Sequence, residues 1–405
     1  MNACEENQPT ILFVAEAVTL AHYGRIATLS RALPASDYRV VVASDPRYRT
    51  LDEMPGTEFH PVWSIPSSQF AESLEQGRPL YDRETLIRYV EDDLALIDTV
   101  KPDLIVGDFR LSLAVSAPLR QIPYAAVVNA YWSPHVKVRY PVPDLPFTRF
   151  TGLHLGQWLF DLARPLAFGL HARPLQQVRR HFGLPPLSGD LRGAYTWGDY
   201  TLYADVPEFF PLEEMPDNHR FLGPVFWSSH TPLPDWWENL PEDKPVVFVS
   251  LGSSGKANLL PEILEALSRL PVTVMAATAG KIAIPDSFHK IYIADYLPVE
   301  AAMKRSALTI CNGGSLMTYQ ALTCGVPVIG VCSNMDQLLN MQALENQGLG
   351  ISLRASSLSS RDISGAVNKV FKQERFLIAA RHLSQLLTQY NAMARLREMT
   401  VEILD

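Results

Sequence analysis

Residues 247–255 read V-F-V-S-L-G-S-S-G, and residues 310–330 read I-C-N-G-G-S-L-M-T-Y-Q-A-L-T-C-G-V-P-V-I-G. In each stretch a short apolar run ends at a glycine turn, and a helical pattern follows the turn. Short apolar runs bounded by glycine are typical of buried parallel strands. Repetition of this strand–turn–helix unit predicts an α/β domain built on a parallel sheet.

Both glycine turns are suited to a diphosphate ligand. Glycine lets backbone amides approach a ligand closely, and the first turn of the following helix favours negative charge. Further along, residues 333–340 read S-N-M-D-Q-L-L-N, which supplies a polar pair at Asp336 and Gln337. The sequence therefore favours a diphosphate that carries a sugar, although two ordinary strand–turn–helix junctions would show the same pattern.

The order of these motifs resembles the donor-binding half of the UDP-glycosyltransferase family, which includes plant enzymes and bacterial natural-product enzymes. That family reads S-x-G-S, then W-x-P-Q, then H-G-G-x-x-S-x-x-E-A-L-x-x-G-V-P, then D-Q-x-x-N. The counterparts here lie at residues 250–253, 296–299, 312–327 and 336–340. The likeness is strong over residues 245–355 and thinner elsewhere, and four motifs in the same order are more specific than any one alone.

The resemblance implies a GT-B fold, in which two Rossmann-like α/β domains face each other across a cleft. The second domain is then expected to bind a nucleotide sugar, with a UDP-sugar favoured over a dTDP-deoxysugar. Ser253 would contact phosphate, Tyr296 would stack on the base, and Asp336 would hold sugar hydroxyls. The donor-binding residues implied in this way are Gly252, Ser253, Tyr296, Leu297, Asn312, Gly313, Gly314, Ser315, Met317, Gln320, Asp336 and Gln337.

Three residues depart from the family pattern. Asn312 replaces a histidine that points at the pyrophosphate, Val299 replaces a glutamine, and Gln320 replaces a glutamate that binds ribose hydroxyls. An amide in place of that glutamate loses a charge-assisted hydrogen bond. These departures leave open a non-catalytic protein that binds a nucleotide sugar or a partner enzyme. A nucleotide-sugar 2-epimerase is a second alternative, but it would use several carboxylates around the sugar, and the sequence shows no such cluster.

The resemblance also points to a catalytic pair in the first half of the chain. His22 follows the first apolar strand, and in the family a histidine at this loop deprotonates the acceptor hydroxyl. A neutral imidazole suits that role near neutral pH. Asp108 ends a strand in the pattern P-D-x-x-x-x-D, and the resemblance implies that it orients the histidine. On residue type alone, His22 would be read as a polar surface residue and Asp108 as a helix cap.

These residues together predict an inverting hexosyltransferase. The acceptor oxygen would attack the anomeric carbon of an α-linked nucleotide sugar and give a β-linked product, with the diphosphate leaving toward Ser253 and the turn at residues 312–315. No D-x-D carboxylate pair lies in a suitable loop. We therefore expect no metal ion and no cofactor beyond the nucleotide-sugar co-substrate.

Composition limits the other possible functions. The 405 residues are 47% hydrophobic and 19% charged, which is typical of a globular chain of two or three domains. A net charge of −8 argues against a nucleic-acid-binding protein. The N-terminus lacks the pattern of a secretory signal and no apolar run is long enough to span a membrane, which predicts a cytoplasmic protein. The four cysteines, Cys4, Cys311, Cys324 and Cys332, are expected to be free thiols.

Strands alternate with helical patterns in both halves of the chain. This alternation predicts two domains, at residues 1–225 and 246–375, joined by a proline-rich linker at 226–245. The resemblance implies that the first domain binds the acceptor and the second binds the donor. The family adds a last helix, residues 376–405, that returns to the first domain. The predicted strands lie at residues 10–15, 38–43, 104–107, 124–129, 246–251, 272–276, 290–293, 308–311 and 328–331.

The segment 131–183 differs in composition from the rest of the chain, with seven Lys or Arg, two Asp and many aromatic residues. We expect it to shape a cleft for a small, rather apolar acceptor, with Tyr131, Trp132 and His135 near the rim. It is also compatible with peripheral contact to an anionic membrane, or with ordinary helix packing under a solvated basic face. The sequence leaves these three interpretations open.

Overall fold

The computed structural model describes residues 8–54, 56–144, 148–228, 231–241, 243–284 and 291–405. Cys4 lies outside these residues, as does Lys290, the first residue of one predicted strand. The described residues form two sheets whose strands all pair in parallel. The two-domain α/β fold predicted from the sequence is confirmed.

The first sheet has the strand order β3-β2-β1-β4-β5-β6-β7. Its central strands β1 and β4 are buried along their whole length, as expected for apolar strands covered on both faces. The bounds are β1 Thr10–Ala15, β2 Arg39–Ser44, β3 Glu58–Pro61, β4 Leu104–Asp108, β5 Tyr124–Val128, β6 Tyr200–Tyr203 and β7 His219–Phe221. The helices are α1 Leu20–Ser30, α2 Ser67–Gln76, α3 Arg83–Val100, α4 Leu113–Arg120, α5 Thr148–His181 and α6 Leu191–Tyr195.

The second sheet has the order β10-β9-β8-β11-β12-β13. Its bounds are β8 Val246–Ser250, β9 Thr273–Ala277, β10 Ile291–Ala294, β11 Leu308–Cys311, β12 Val328–Cys332 and β13 Gly350–Arg354. The helices of the second half are α7 Leu260–Ser268, α8 Val299–Lys304, α9 Ser315–Thr323, α10 Met335–Asn346, α11 Ser360–Lys372, α12 Arg375–Leu387 and α13 Ala392–Leu404. Cys311 and Cys332 end neighbouring strands as buried free thiols, and Cys324 is a partly buried free thiol.

Packing divides the chain into two compact units. Unit 1 takes the described residues of Met1–Arg139, Leu145–Trp227 and Asn391–Asp405, and unit 2 takes those of Tyr140–Asp144 and Ser228–Tyr390. The proline-rich stretch predicted as a linker packs in part on unit 2. There the indole of Trp236 donates a 3.0 Å hydrogen bond to the carbonyl of Ile293, and Trp237 is buried.

The C-terminal segment forms two helices rather than the single helix predicted over residues 376–405. Helix α12 belongs to unit 2, and α13 belongs to unit 1. Leu396 and Met399 of α13 are buried in the unit 1 core, and the Arg397 guanidinium donates hydrogen bonds of 2.7 and 3.0 Å to the carbonyl of Ala32. The break between the helices thus lets one C-terminal segment contribute to both units.

Candidate active site

The first group of predicted site residues lies at the point where the strand order of the unit 1 sheet reverses. Strands β1 and β4 are neighbours, with Ala15 opposite Asp108. After β1 the chain continues to β2 on one side of this pair, and after β4 it continues to β5 on the other side. Ligands of open α/β sheets bind at such a point, beyond the carboxyl ends of the strands. Helix α1 begins at Leu20, and this places His22 in its first turn rather than in the loop after β1, where the sequence predicted it.

His22 and Asp108 are in direct contact. Nδ1 of His22 is 2.7 Å from Oδ1 of Asp108, and the Asp108 side chain is 1% exposed, whereas that of His22 is 16% exposed. Helix α4 begins only after Ser112, so Asp108 does not cap it. The carboxylate favours a proton on Nδ1, which leaves the lone pair on Nε2 free to accept one. The Phe109 ring stacks on the imidazole at 4.9 Å and limits its rotation.

Arg25 completes a buried cluster with this pair. Its Nε donates to Oδ2 of Asp108 at 2.7 Å and its Nη2 to Oδ1 at 3.1 Å, a bidentate geometry. Its Nη1 donates at 2.9 Å to Oδ1 of Asn129, whose amide in turn donates at 3.1 Å to Asp205. Burial lowers the pKa of Arg25, but Asp108, together with Tyr131 and Asp205, outweighs this effect and holds the pKa above its usual value. Arg25 therefore carries a permanent positive charge beside Asp108.

A second buried ionic cluster supports the same end of the sheet. Arg110 is completely buried and bonds Glu16 at 3.1 Å and Asp93 at 3.0 Å, and its guanidinium lies 3.8 Å from the centre of the Tyr89 ring. Burial raises the pKa of Glu16 and of Asp93, and Arg110 opposes that rise. Because Glu16 follows β1 and Arg110 follows β4, these bonds tie together the segments that leave the two strands, next to His22 and Asp108.

The second group of predicted residues lies at the equivalent point of the unit 2 sheet. Strands β8 and β11 are neighbours, with Ser250 opposite Cys311, and each runs into one of the two glycine turns. Asn312 links the turns, because its Nδ2 donates at 2.9 Å to Oγ of Ser254 and its Oδ1 accepts at 3.0 Å from the amide of Gly314. Gly252, with a φ of +62°, lies in the first turn. The residue that departs from the family histidine thus joins the two turns.

Gly313 occupies a position that other residues would enter only with strain. Its φ is +82°, and a Cβ atom there would lie 2.8 Å from both Sγ of Cys332 and Cγ of Met341. Gly314 is the N-cap residue of α9 and, as a glycine, supplies no side chain to cap that helix. The N-terminal turn of α9, with Ser315 and Met317 partly exposed, therefore directs backbone N–H groups outward beside the glycine turns.

The remaining donor-site residues differ in accessibility. Tyr296 is half-buried, and its hydroxyl donates at 3.1 Å to the carbonyl of Ala279, while Leu297 is 2% exposed and belongs to the core. Gln320 is buried in α9. Of this set, Tyr296 is therefore the side chain with the accessible ring that base stacking requires.

Helix α10 places Asp336 and Gln337 differently. Asn334 is the residue that caps this helix, since its side chain accepts at 3.0 Å from the amide of Gln337, so Asp336 is not the cap. Asp336 is partly exposed, whereas Gln337 is 2% exposed and its Oε1 accepts from the amide and hydroxyl of Ser333 at 2.8 and 3.1 Å. The oxygen of Gln337 thus holds the loop before the helix.

Asn340, on the same helix, is completely buried and donates at 2.8 Å to the carbonyl of Gly313 and at 2.9 Å to Oγ1 of Thr318. The D-Q-x-x-N motif therefore attaches α10 to the second glycine turn.

The three predicted acceptor residues do not share one environment. Tyr131 is 0% exposed and packs edge-on against Phe210 at 5.2 Å, so its prediction as a rim residue is wrong. The short 3-10 turn at Ala130–Trp132 directs it into the core. Trp132 is partly exposed and lies against Tyr195, and His135 is partly exposed and lies against His219.

Two basic residues of these sites were missed in the sequence. Arg25 follows His22 by three residues, a spacing that puts both on one helical face, and this is the signal that could have identified it. Lys281 lies after β9, and its ammonium donates to the carbonyl of Ser253 in the first glycine turn. Burial lowers the pKa of Lys281. No local pattern distinguishes this lysine, because the contact joins residues that are distant in sequence.

The described residues contain neither a metal-binding cluster nor a membrane-spanning helix. Among those residues, no group of three or more His, Cys, Asp or Glu side chains is arranged to hold a metal ion. No helix within the same ranges is both long and apolar enough to cross a membrane.

The chain is similar to known glycosyltransferases in sequence and in fold. Residues 262–392 match the family model of the erythromycin biosynthesis protein CIII-like C-terminal domain. The chain is 50% identical over 374 residues to the PGL/p-HBAD biosynthesis rhamnosyltransferase of Mycobacterium bovis (strain BCG / Pasteur 1173P2), a match that covers 92% of this chain and 83% of that protein. An inactive PGL/p-HBAD biosynthesis glycosyltransferase of the same organism is 48% identical, over 64% of this chain and 71% of its own length. Among solved structures, the spinosyn rhamnosyltransferase SpnG has a TM-score of 0.70 at 20% identity, covering 96% of this chain and 99% of its own.

Proposed function

The chain belongs to the glycosyltransferase family that includes the mycobacterial PGL/p-HBAD biosynthesis rhamnosyltransferases, and from this premise we propose that it transfers a deoxyhexose from a nucleoside-diphosphate donor to a hydroxyl of an apolar acceptor, with inversion at the anomeric carbon. The observation that carries the proposal is the contact of 2.7 Å between His22 and Asp108 at the carboxyl ends of β1 and β4. A buried carboxylate on one imidazole nitrogen leaves the other to act as a general base.

In this mechanism His22 takes the acceptor proton and Asp108 stabilises the imidazolium that forms. The acceptor oxygen attacks the anomeric carbon, and the bond from that carbon to the diphosphate breaks. Negative charge develops on the leaving diphosphate, and the first turn of α9, beside the second glycine turn, is the element that would stabilise it. Because Asn312 cannot become cationic, we assign the positive charge of the site to Lys281.

The sequence favours a UDP-sugar as donor, with a dTDP-deoxysugar second. We now place the deoxysugar first, because the relative at 50% identity is named a rhamnosyltransferase. Gln320 supports the same order: it stands where the family resemblance expects a glutamate on the ribose hydroxyls, and thymidine diphosphate has one hydroxyl fewer on its sugar. The uncharged amide of Gln320 forms weaker hydrogen bonds than a carboxylate, which suits the deoxyribose of thymidine diphosphate with its single free hydroxyl.

Four donors that pair uridine or thymidine diphosphate with glucose or rhamnose test this proposal. We expect the purified protein, treated with a chelator, to release nucleoside diphosphate fastest from dTDP-rhamnose, slowly without acceptor and faster with an apolar alcohol or phenol. The product should have the opposite anomeric configuration to the donor in proton NMR. A strict requirement for added divalent metal would contradict the mechanism, and preference for a uridine donor would contradict the base assignment.

The inactive relative makes a non-catalytic role the second candidate. In that case the protein would bind a nucleotide sugar in calorimetry but release no diphosphate from any of the four donors. Retention of both His22 and Asp108 in direct contact favours the catalytic role.

A further inference from the structure

Helix α5 presents an apolar stripe to solvent. Fifteen large hydrophobic side chains are exposed among the described residues, and eight of them lie between residues 150 and 170. Their exposed fractions reach 62% at Trp158, 72% at Leu162 and 71% at Leu166. Scattered exposed apolar side chains are ordinary on a protein surface, but a contiguous group of this kind marks an interaction site.

The stripe has helical periodicity and therefore occupies one face. Its members Leu155, Leu159, Leu162, Leu166 and Leu170 follow one another at intervals of three or four residues, and Trp158 lies three residues after Leu155 and four before Leu162. The opposite face of α5 is packed in unit 1, where Phe160 and Phe168 are buried and Ala172, Leu175 and Val178 join a core cluster. The helix is thus held against the domain while the stripe points away from it.

The surroundings of the stripe are basic. Helix α5 contains five arginines and one aspartate in a chain whose net charge is −8. Arg173 and Arg180 are exposed at the end of the stripe. The single aspartate, Asp161, is neutralised locally, because Arg139 lies 3.3 Å from it and Gln157 donates to it at 2.8 Å. Arg179 is not part of this surface, since it is 4% exposed and donates to the carbonyls of Pro185 and Ala114.

We propose that this face of α5 docks the protein on an anionic lipid membrane, with the stripe at the boundary between headgroups and acyl chains and the exposed arginines among the headgroups. An interfacial helix needs an apolar face with Trp and Leu beside basic residues, and the described part of α5 has this composition. Arginines beside an apolar face match the charge of an anionic leaflet, where each contributes to attraction. A folded partner or a second copy of the chain would need an acidic and apolar surface whose shape is complementary to the stripe. An anionic bilayer offers negative charge and apolar contact without requiring a complementary shape.

Sedimentation with lipid vesicles tests the proposal, using the full chain and vesicles of phosphatidylcholine with or without phosphatidylglycerol. We expect the protein to pellet with the anionic vesicles, and less as salt rises. The stripe variant Trp158→Ser, Leu162→Ser, Leu166→Ser should lower the partition coefficient at least tenfold. A matched control, Met215→Ser, Leu233→Ser, Ile378→Ser, removes three exposed apolar side chains elsewhere and should pellet like the wild type.

Charge is tested separately by Arg173→Glu with Arg180→Glu, against Arg361→Glu with Arg375→Glu, which changes the net charge equally at exposed sites of unit 2. We expect a loss of at least tenfold in vesicle binding for the first pair and little change for the second. Brominated lipids should also quench tryptophan fluorescence of the wild type more than that of Trp158→Phe.

Three results would overturn the proposal. The wild type could stay in the supernatant with anionic vesicles at low salt, the stripe variant could bind as the wild type does, or the free protein could be a dimer that the stripe variant dissociates in sedimentation equilibrium. The last result would assign the stripe to a second copy of the chain. Donor hydrolysis in solution does not need the stripe, so failure here leaves the proposed function intact.

Discussion

The two units place their candidate site residues at the same position in the sheet, but the residues there differ in chemical type. At the end of β1 and β4, unit 1 places a buried set of charges in which Arg25 binds Asp108 and Asp108 binds His22. At the end of β8 and β11, unit 2 places glycine turns joined by the neutral amide of Asn312. One fold position thus carries a buried ionic cluster in unit 1 and glycine turns beside a helix N-terminus in unit 2, and the proposed mechanism uses the first to accept a proton and the second to bind the diphosphate.

This difference follows from the charge that each step has to handle. Proton transfer needs one nitrogen held in a defined orientation, and a buried ion pair provides that at a high desolvation cost. A leaving diphosphate spreads its charge over several oxygens, and backbone amides can meet them without a buried charge of their own. Unit 1 should therefore be sensitive to the loss of single side chains, and unit 2 to changes in backbone geometry.

The largest effect is expected at the base. His22→Ala should lower turnover by about a hundredfold or more, the usual contribution of a general base, while nucleoside-diphosphate binding remains near normal. Steady-state kinetics and calorimetry on the same preparation measure the two quantities. Full activity in this variant would show that His22 is not the base. The two units would then no longer differ in function as proposed.

Loss of the Arg25 charge should destabilise unit 1. Arg25→Gln leaves the buried Asp108 without its cation, and we expect the free energy of unfolding to fall by about 3 kcal/mol. Arg39→Gln in the same unit is the control, because Arg39 and its partner Glu58 are 46% and 41% exposed, and it should cost about 1 kcal/mol or less. Denaturant titrations compare them, and equal losses would mean that the Asp108 pair is no stronger than a surface ion pair.

The backbone of the second glycine turn should be the sensitive element of unit 2. Gly313→Ala combines a positive φ with clashes against Cys332 and Met341, and should cost about 2 kcal/mol. Gly348→Ala shares a positive φ, +68°, but its Cβ would meet nothing within 4 Å, so it should cost only about 1 kcal/mol. The difference between the unfolding free energies of the two variants measures the cost of the clashes at Gly313. Equal unfolding free energies would show that the turn relaxes around the added methyl group.

A polar side chain of unit 2 should matter for the sugar alone. Asp336→Ala should raise the KM for the donor about tenfold, as expected for a lost hydrogen bond to a charged group, and leave the affinity for the bare nucleoside diphosphate unchanged. Asn334→Ala, which removes the actual helix cap, serves as the structural control. Equal losses of donor and nucleotide binding in Asp336→Ala would assign the residue to the fold.

The smallest effect concerns acid sensitivity in unit 1. Burial, together with His135, lowers the pKa of His219 to about 4, and Nδ1 of its neutral ring accepts at 2.7 Å from the Tyr203 hydroxyl. The unfolded chain binds this proton near pH 6.5, so the stability that the neutral ring contributes is present above pH 6.5 and is lost as pH falls toward 4. Because the ring is only half buried, solvent reduces the loss to about 1 kcal/mol.

His219→Gln keeps an acceptor for Tyr203 and should make the melting temperature fall less between pH 6.5 and 4 than it does in the wild type. An unchanged acid dependence in differential scanning calorimetry would show that other groups dominate it.

Local patterns in the sequence predicted much of the fold. The nine predicted strands are all present, and they include the fully buried central strands, whose unbroken apolar runs leave few alternatives. The four strands that were missed, β3, β6, β7 and β13, lie at or next to a sheet edge. Short edge strands carry mixed polar and apolar residues, so their pairing depends on the neighbouring strand more than on their own composition.

The sequence by itself determined the two α/β units and the glycine turns, because each depends on residues close together along the chain. The pair of His22 and Asp108 was predicted only through the family resemblance, since the two residues lie 86 positions apart. The tertiary structure decided how those residues are used. It placed Arg25 on Asp108, set Asn312 across two turns, buried Tyr131 and left one face of α5 exposed. Each of these depends on contacts between residues tens of positions apart, or on which face of a helix packs against another element. The free energy of burial that stabilises such contacts depends on the packing of the whole domain and cannot be read from a local stretch of sequence.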